Sequence, residues 1–331
     1  MQKINKILDL YFSKNLINVF FMGIVSGIPL YLTLSTLAIW LTRENTDIST
    51  IGLFSLTQVP WTIKFVWAPF IDNLKVPFLS DKLGRRKSWL IIIQLCLSIS
   101  VIFLGINDPK GHIDLNILGK NLSFNQLYLT AFFALLVSFF SASQDIVIDA
   151  YRIEILNESE QGAGAAMTQA GYRIGGIISG AGALYLREYV SWELVFVCLG
   201  IIILFFLIYS FFLPNINYEK TKKFNLKDYF EPLQEFIFRV NLKKIILILF
   251  LIFSFKLCDS VAGVMANPFY VKIGFSNIEI ANASKILGII ATIIGVFVGG
   301  VCVKYYGIIN SLIISGFLQM ISNLLFFFYQ R

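Results

Sequence analysis

Seven ionisable side chains lie inside stretches of this chain that are otherwise apolar: Lys64, Asp145, Asp149, Arg173, Lys256, Asp259 and Lys285. A charge at the centre of a membrane-spanning helix costs roughly 2.5–3.5 kcal/mol on an insertion scale. Seven central charges would oppose insertion by about 20 kcal/mol, a cost that lining a polar pathway can justify. Asp145 and Asp149 are four residues apart and so share a helical face, with Arg152 three further on. Low dielectric disfavours the charged form of a carboxylate, and a nearby acid adds to that. Either aspartate is therefore a candidate proton carrier, loaded and unloaded as a cavity changes sides. The alternative is a static salt bridge to Arg173, which follows Gln169 by four residues. As a fixed cation, Arg173 could hold a carboxylate or phosphate through two parallel N–H donors. Lys256 and Asp259 are three apart and could neutralise each other, while Lys64 and Lys285 stand singly. Gln144 and Gln169 complete the candidate pathway. Four interior cations against three anions suit an anionic solute.

The elements that carry these groups follow from composition. The chain has 331 residues, 57% apolar and 14% charged, with a mean hydropathy of +0.74. Such a chain is a polytopic membrane protein. Windows long enough to cross about 30 Å of hydrocarbon predict nine spans, at 16–40, 49–71, 88–106, 125–150, 162–186, 192–213, 243–268, 277–302 and 308–330. The first is too long for a cleavable signal peptide and reads as a retained helix. The net charge of +7 is not a nucleic-acid signature. With the N-terminus in the cytoplasm, 17 of the 27 Lys and Arg fall on the inner side, 6 on the outer side and 4 within spans. That bias fixes the orientation, and nine spans then place the C-terminus outside. Cys96, Cys198, Cys258 and Cys302 all fall in spans and read as packing residues. With His112 as its only histidine, the chain offers no histidine-based catalysis or His-ligated metal site. No cofactor, metal or enzymatic activity is expected.

Residues 214–242 are polar, basic and scattered with aromatics, and they divide the chain into three parts. The expected organisation is a six-helix bundle over 1–213, a cytoplasmic linker over 214–242 and three further spans over 243–331. This is the layout of the major facilitator fold, in which solute binds between two halves near the midplane. The interior charges follow its period of three, because spans three, six and nine carry none. The loop between spans two and three holds Asp72, Asp81, Gly84, Arg85, Arg86 and Lys87. An acid followed by Gly and three basic residues resembles that superfamily's loop-two signature. A carboxylate and an arginine cluster can form charge-assisted hydrogen bonds that latch the inner side. The same basic residues also hold the loop inside.

At residue level the resemblance narrows. Ser26-Gly27-Ile28-Pro29-Leu30, Lys64-Phe65-Val66-Trp67-Ala68-Pro69-Phe70-Ile71-Asp72, Leu83-Gly84-Arg85-Arg86-Lys87 and Ser141 to Asp149 resemble the AmpG-type muropeptide permeases. So do Gln161 to Ala166, Gly171-Tyr172-Arg173 and Lys256-Leu257-Cys258-Asp259. The resemblance implies an all-α major facilitator fold in the bacterial inner membrane. It also implies proton-driven import of N-acetylglucosaminyl-1,6-anhydro-N-acetylmuramic acid and its peptides for peptidoglycan recycling. Its partners would be the muropeptide, protons and the bilayer. The family has at least twelve spans, so the C-terminal bundle reads as incomplete, and another polypeptide could supply spans ten to twelve. Two alternatives are import of another anionic solute resembling acetyl-CoA and a truncated, non-transporting membrane scaffold.

Overall fold

The computed structural model describes residues 12–117, 120–215, 242–288, 290–291, 294 and 309–322. Most of the linker predicted at 214–242 and much of spans eight and nine lie outside those residues.

Span one runs from Lys14 to Arg43. Ser13 caps its start by accepting from the Leu16 amide, which satisfies one of the donors that a helix N-terminus leaves orphaned. Pro29, inside this helix, has no N–H for the Val25 carbonyl four residues back. A π turn follows at Leu32–Thr36, where the hydrogen-bond ladder re-forms in a wider register.

The second span is broken rather than continuous. Helical pieces Ile48–Leu53, Val59–Ile63 and Ala68–Asn73 are separated by tighter turns at Phe54–Gln58 and Lys64–Val66. Pro60 and Pro69 sit in the first turn of the second and third pieces. A proline is tolerated there but cannot continue a helix that precedes it. Lys64 therefore lies on a short 3-10 turn.

Span three is Arg85–Ile106 and begins after Gly84, whose φ of 79° favours a residue without Cβ. Span four is Leu127–Ile155, span five occupies 161–187 with a π turn at Ile178–Gly182, and span six is Trp192–Phe211. Among the described residues, four helices are long and apolar enough to cross a membrane: spans one, three, four and six. The interrupted spans two and five escape such a criterion because proline breaks the one and glycine dilutes the other.

Spans one and five pack closely together, as do spans three and six, and span four touches both pairs. Gly23 and Gly27 of span one face span five, and Gly171 and Gly175 of span five face span one. A Cβ at any of the four would overlap the facing backbone. Only hydrogen at these positions lets the two helices approach so closely. Spans three and six meet through Leu97, Val101, Leu104, Phe196, Leu199 and Ile203, all at least 97% buried. Ser98 Oγ donates to the Gly200 carbonyl at 2.8 Å across that contact. The outer faces of both helices are apolar stripes: Leu95, Ile99, Phe103 and Ile106 on one, Leu194, Ile201, Phe205 and Ile208 on the other. Such stripes suit lipid, as expected for the charge-free third member of each triplet.

Span seven is Leu242–Ile273, and span eight begins with Asn277–Ile280 and a π turn at Ala281–Leu287. Helix Ile309–Ser322 lies in the predicted ninth span. The principal contacts of spans seven and eight with the first six spans involve Leu32–Arg43, Ile48–Leu53 and the second half of span five. All of these lie toward the end of the bundle opposite Arg86. Ile280 and Ala281 are buried there, in the same core as Ala183 and Leu184.

One loop departs from the all-helical expectation. His112–Ile117 and Lys120–Asn125 form an antiparallel hairpin, with His112 opposite Asn125. The segment alternates polar and apolar residues with the period of a strand, but windows of membrane-span length average that pattern away.

Candidate functional site

Span four supplies the centre of the site. Its run Ser141-Ala142-Ser143-Gln144 is buried, and the Asp145 side chain is 15% exposed. Ser26 Oγ of span one donates to Asp145 Oδ1 at 2.6 Å, and Lys64 Nζ of span two lies 3.7 Å from Oδ2. The Lys64 side chain is about one-third exposed (34%), so the pair is reached from an unpacked face. The static bridge considered from sequence, Asp145 to Arg173, is not formed: the cation beside Asp145 is Lys64. The break in span two accounts for this, because the 3-10 turn carries Lys64 toward span four.

Gln144 uses the defect in span one. Its Nε2 donates at 3.3 Å to the Val25 carbonyl, the acceptor that Pro29 leaves without its usual helical donor. Its Oε1 is buried and has no hydrogen-bond partner among the described residues. Trp67 Nε1 donates to Ser143 Oγ at 3.0 Å, fixing span two against span four just beyond Lys64.

Arg173 of span five donates from Nη1 to the Tyr31 hydroxyl at 3.0 Å. No carboxylate lies within 4.0 Å of its guanidinium among the described residues. The Tyr172 and Tyr31 rings lie 6.5 Å apart, tilted at 59°. Gln169, one turn from Arg173, is exposed. Ser26, Tyr31, Trp67, Ser143 and Tyr172 thus belong to the cluster, although only charge and amide content marked its members in the sequence. The glycines of spans one and five were the available signal, since they dictate which two helices meet.

The structure separates the two aspartates. Asp149 is 52% exposed, and its only ion pair among the described residues is with Arg152, at 3.7 Å on its own helix. Lys256 and Asp259 lie in span seven and Lys285 in the π turn of span eight. Their side chains lie outside the described residues.

The loop-two signature forms a second cluster at the other end of the bundle. Arg86 Nε and Nη2 grip Glu154 of span four, the shortest contact being 2.5 Å, while Nη1 reaches Asp72 at 2.5 Å. Arg85 lies 3.8 Å from Glu154. Glu154 went unremarked in the sequence because nothing local marks it. Asp81, one of the acids expected in the latch, is exposed and forms no ion pair among the described residues. Lys87 does something different: its Nζ donates to the carbonyls of Phe211 and Leu213, at 3.0 and 2.9 Å. It therefore satisfies the orphan carbonyls at the end of span six.

Arg86 and Glu154 are both about nine-tenths buried (10% and 11% exposed), so the pair should be strongly coupled. In a double-mutant cycle, Arg86→Gln and Glu154→Gln should each lower thermal stability in detergent, with a coupling of about 1.5–3 kcal/mol. Additive losses would show that the two act independently.

The family described as "Acetyl-coenzyme A transporter 1" matches residues 15–193. AmpG 4 of Rickettsia conorii is 34% identical over 332 residues, covering 97% of this chain and 75% of that protein. AmpG 1 of Rickettsia bellii is 31% identical over 327 residues, covering 95% and 75%. The anhydromuropeptide permease of Escherichia coli strain K12 is 34% identical over 308 residues, covering 91% of this chain but 58% of the permease. The chain thus spans little more than half the length of that relative.

Proposed function

This chain belongs to the AmpG family of multi-pass membrane transporters, and from that premise we propose that it is a proton-coupled permease for anhydro-muropeptides. It is a transporter and not an enzyme. The observation that carries the reading is the unequal treatment of two half-buried cations. Lys64 is paired with Asp145, whereas among the described residues Arg173 is held by a neutral tyrosine hydroxyl and by no carboxylate. A guanidinium without a counterion in low dielectric favours an arriving carboxylate. The peptide and muramyl carboxylates of an anhydro-muropeptide supply one, and its sugar hydroxyls match Gln169 and Tyr172.

In this reading Asp145 is the proton carrier. When it is charged, Lys64 and the Ser26 hydroxyl stabilise it; when it is protonated, Lys64 is released toward the solute. Proton and solute binding are linked because protonation of Asp145 frees the lysine that an anionic solute can then engage. Lys256, Asp259 and Lys285 would face the solute from the second half of the molecule. The proposed organisation keeps 1–213 and 243–331 as the two halves and 214–242 as their linker. The basic bias supports an N-terminus and an Arg86 cluster on the cytoplasmic side of the inner membrane.

Membrane vesicles loaded with buffer at pH 7.5 and diluted to pH 5.5 should accumulate labelled N-acetylglucosaminyl-1,6-anhydro-N-acetylmuramyl tripeptide. Collapse of the gradient with a protonophore should return uptake to background. The match to a family described by acetyl-coenzyme A transport favours a second reading, a phosphorylated anion held by Arg173. Uptake of labelled acetyl-coenzyme A with no uptake of the tripeptide would replace the first reading with this one.

A further inference from the structure

The residues that join spans seven and eight to the first half meet in a polar cluster outside the site described above. Arg43, at the end of span one, donates from Nη2 to the Phe275 carbonyl at 2.6 Å and from Nε to Asn277 Oδ1 at 3.3 Å. The same amide donates from Nδ2 to Glu188 Oε1 at 2.9 Å. Glu188 lies just beyond span five, in a turn stiffened by Arg187, which bonds the Val190 carbonyl and stacks over Trp192. Gly274, with φ 100°, turns the chain so that Phe275 and Asn277 face the first half. Ile280 and Ala281 share a buried apolar cluster with Leu184, and Tyr185 bonds the Asn282 side chain at 2.5 Å.

One asparagine therefore uses both ends of its amide at once. Its oxygen takes the cation of span one and its nitrogen takes the anion just beyond span five, since an amide carries an acceptor and a donor side by side. The geometry points to Asn277 as a positioning residue for transport, a keystone that holds this end of the molecule shut while the Arg86 end is free to open. The charged partners are partly exposed and each bond alone is weak. Their sum sits on a small apolar contact, a closure that can hold and still be broken in each cycle.

The inference goes beyond solute identity, and its test needs no solute. Spin labels at Tyr189→Cys and Lys272→Cys, both exposed positions, would be placed in a variant with the native cysteines replaced by serine. Double electron–electron resonance in lipid nanodiscs would report the distance across the closure. Asn277→Ala should raise the longer-distance population roughly fivefold, the scale of two lost contacts to partly exposed charges. Asn277→Asp should raise it too, through the lost donor and repulsion from Glu188, but by less, because Arg43 attracts the new carboxylate. Adding Glu188→Gln to Asn277→Asp should restore the short distance, because the new glutamine amide can donate where the asparagine did. An unchanged distribution in Asn277→Ala would overturn the proposal. Failure of the Asp/Gln exchange to rescue, with folding verified by monodisperse elution and wild-type melting, would overturn it equally.

Discussion

Asp145→Asn should reduce gradient-driven uptake to background, a loss on the order of a hundredfold or about 2.7 kcal/mol, while leaving solute exchange measurable. Asparagine preserves shape and can still accept from Ser26, so the helices need not move. What disappears is the ability to bind and release a proton at a position that Lys64 also contacts. Because the Lys64 side chain is about one-third exposed (34%), leaving it unpaired should cost far less than orphaning a fully buried charge. Protein abundance should therefore stay near wild type. Asp149→Asn is the internal control: its carboxylate is half exposed and, among the described residues, pairs only along its own helix, and its uptake should fall by less than about twofold. Efflux down a solute gradient separates the steps, since Asp145→Asn should support it without proton movement. Gradient-driven accumulation by Asp145→Asn at the wild-type rate would remove Asp145 from the coupling mechanism.

The second large effect is predicted where nothing titrates. Gly27→Val and Gly175→Val should prevent assembly of the first half, with loss of most folded protein from the membrane. A Cβ at Gly27 would overlap the Tyr172 carbonyl, and one at Gly175 would overlap the Ile24 carbonyl. Backbone cannot rotate away as a side-chain tip can, so spans one and five would have to part along their length. Overpacking typically costs about 1–3 kcal/mol where side chains can adjust, and a backbone contact should lie at or above the top of that range. Separation would also pull Tyr31 from Arg173, linking packing directly to the site. Gly182→Ala on the same span is the control, because its nearest neighbour permits ordinary contact. Fluorescence-detected size-exclusion of tagged variants measures the outcome: a monodisperse Gly175→Val peak at wild-type height would contradict the argument.

How far the site was legible depended on how local its signals were. Asp145, Lys64 and Arg173 stood out because a charge in an apolar segment needs an explanation whatever the fold. The loop-two basic cluster was equally visible, and Arg86 does bridge acids. Glu154, by contrast, is an ordinary acid near a helix end, and only its position across from Arg86 gives it meaning. Asn277 is likewise an unremarkable polar residue until Arg43 and Glu188 are placed on either side of it. The hairpin left no mark at membrane-span length, because two strands of six residues are too short to shift the mean hydropathy of a long apolar window.

Class, membrane residence and the set of interior charges were determined by the sequence alone, because hydrophobicity and charge cost are properties of each segment in isolation. Pairing was decided by the tertiary structure. Pro60 and Pro69 broke span two and delivered Lys64, rather than Arg173, to Asp145. Pro29 freed a carbonyl for Gln144. Four glycines selected span five as the neighbour of span one. A partner depends on which surfaces can approach within a few ångströms, and that is a property of two segments together that neither carries by itself.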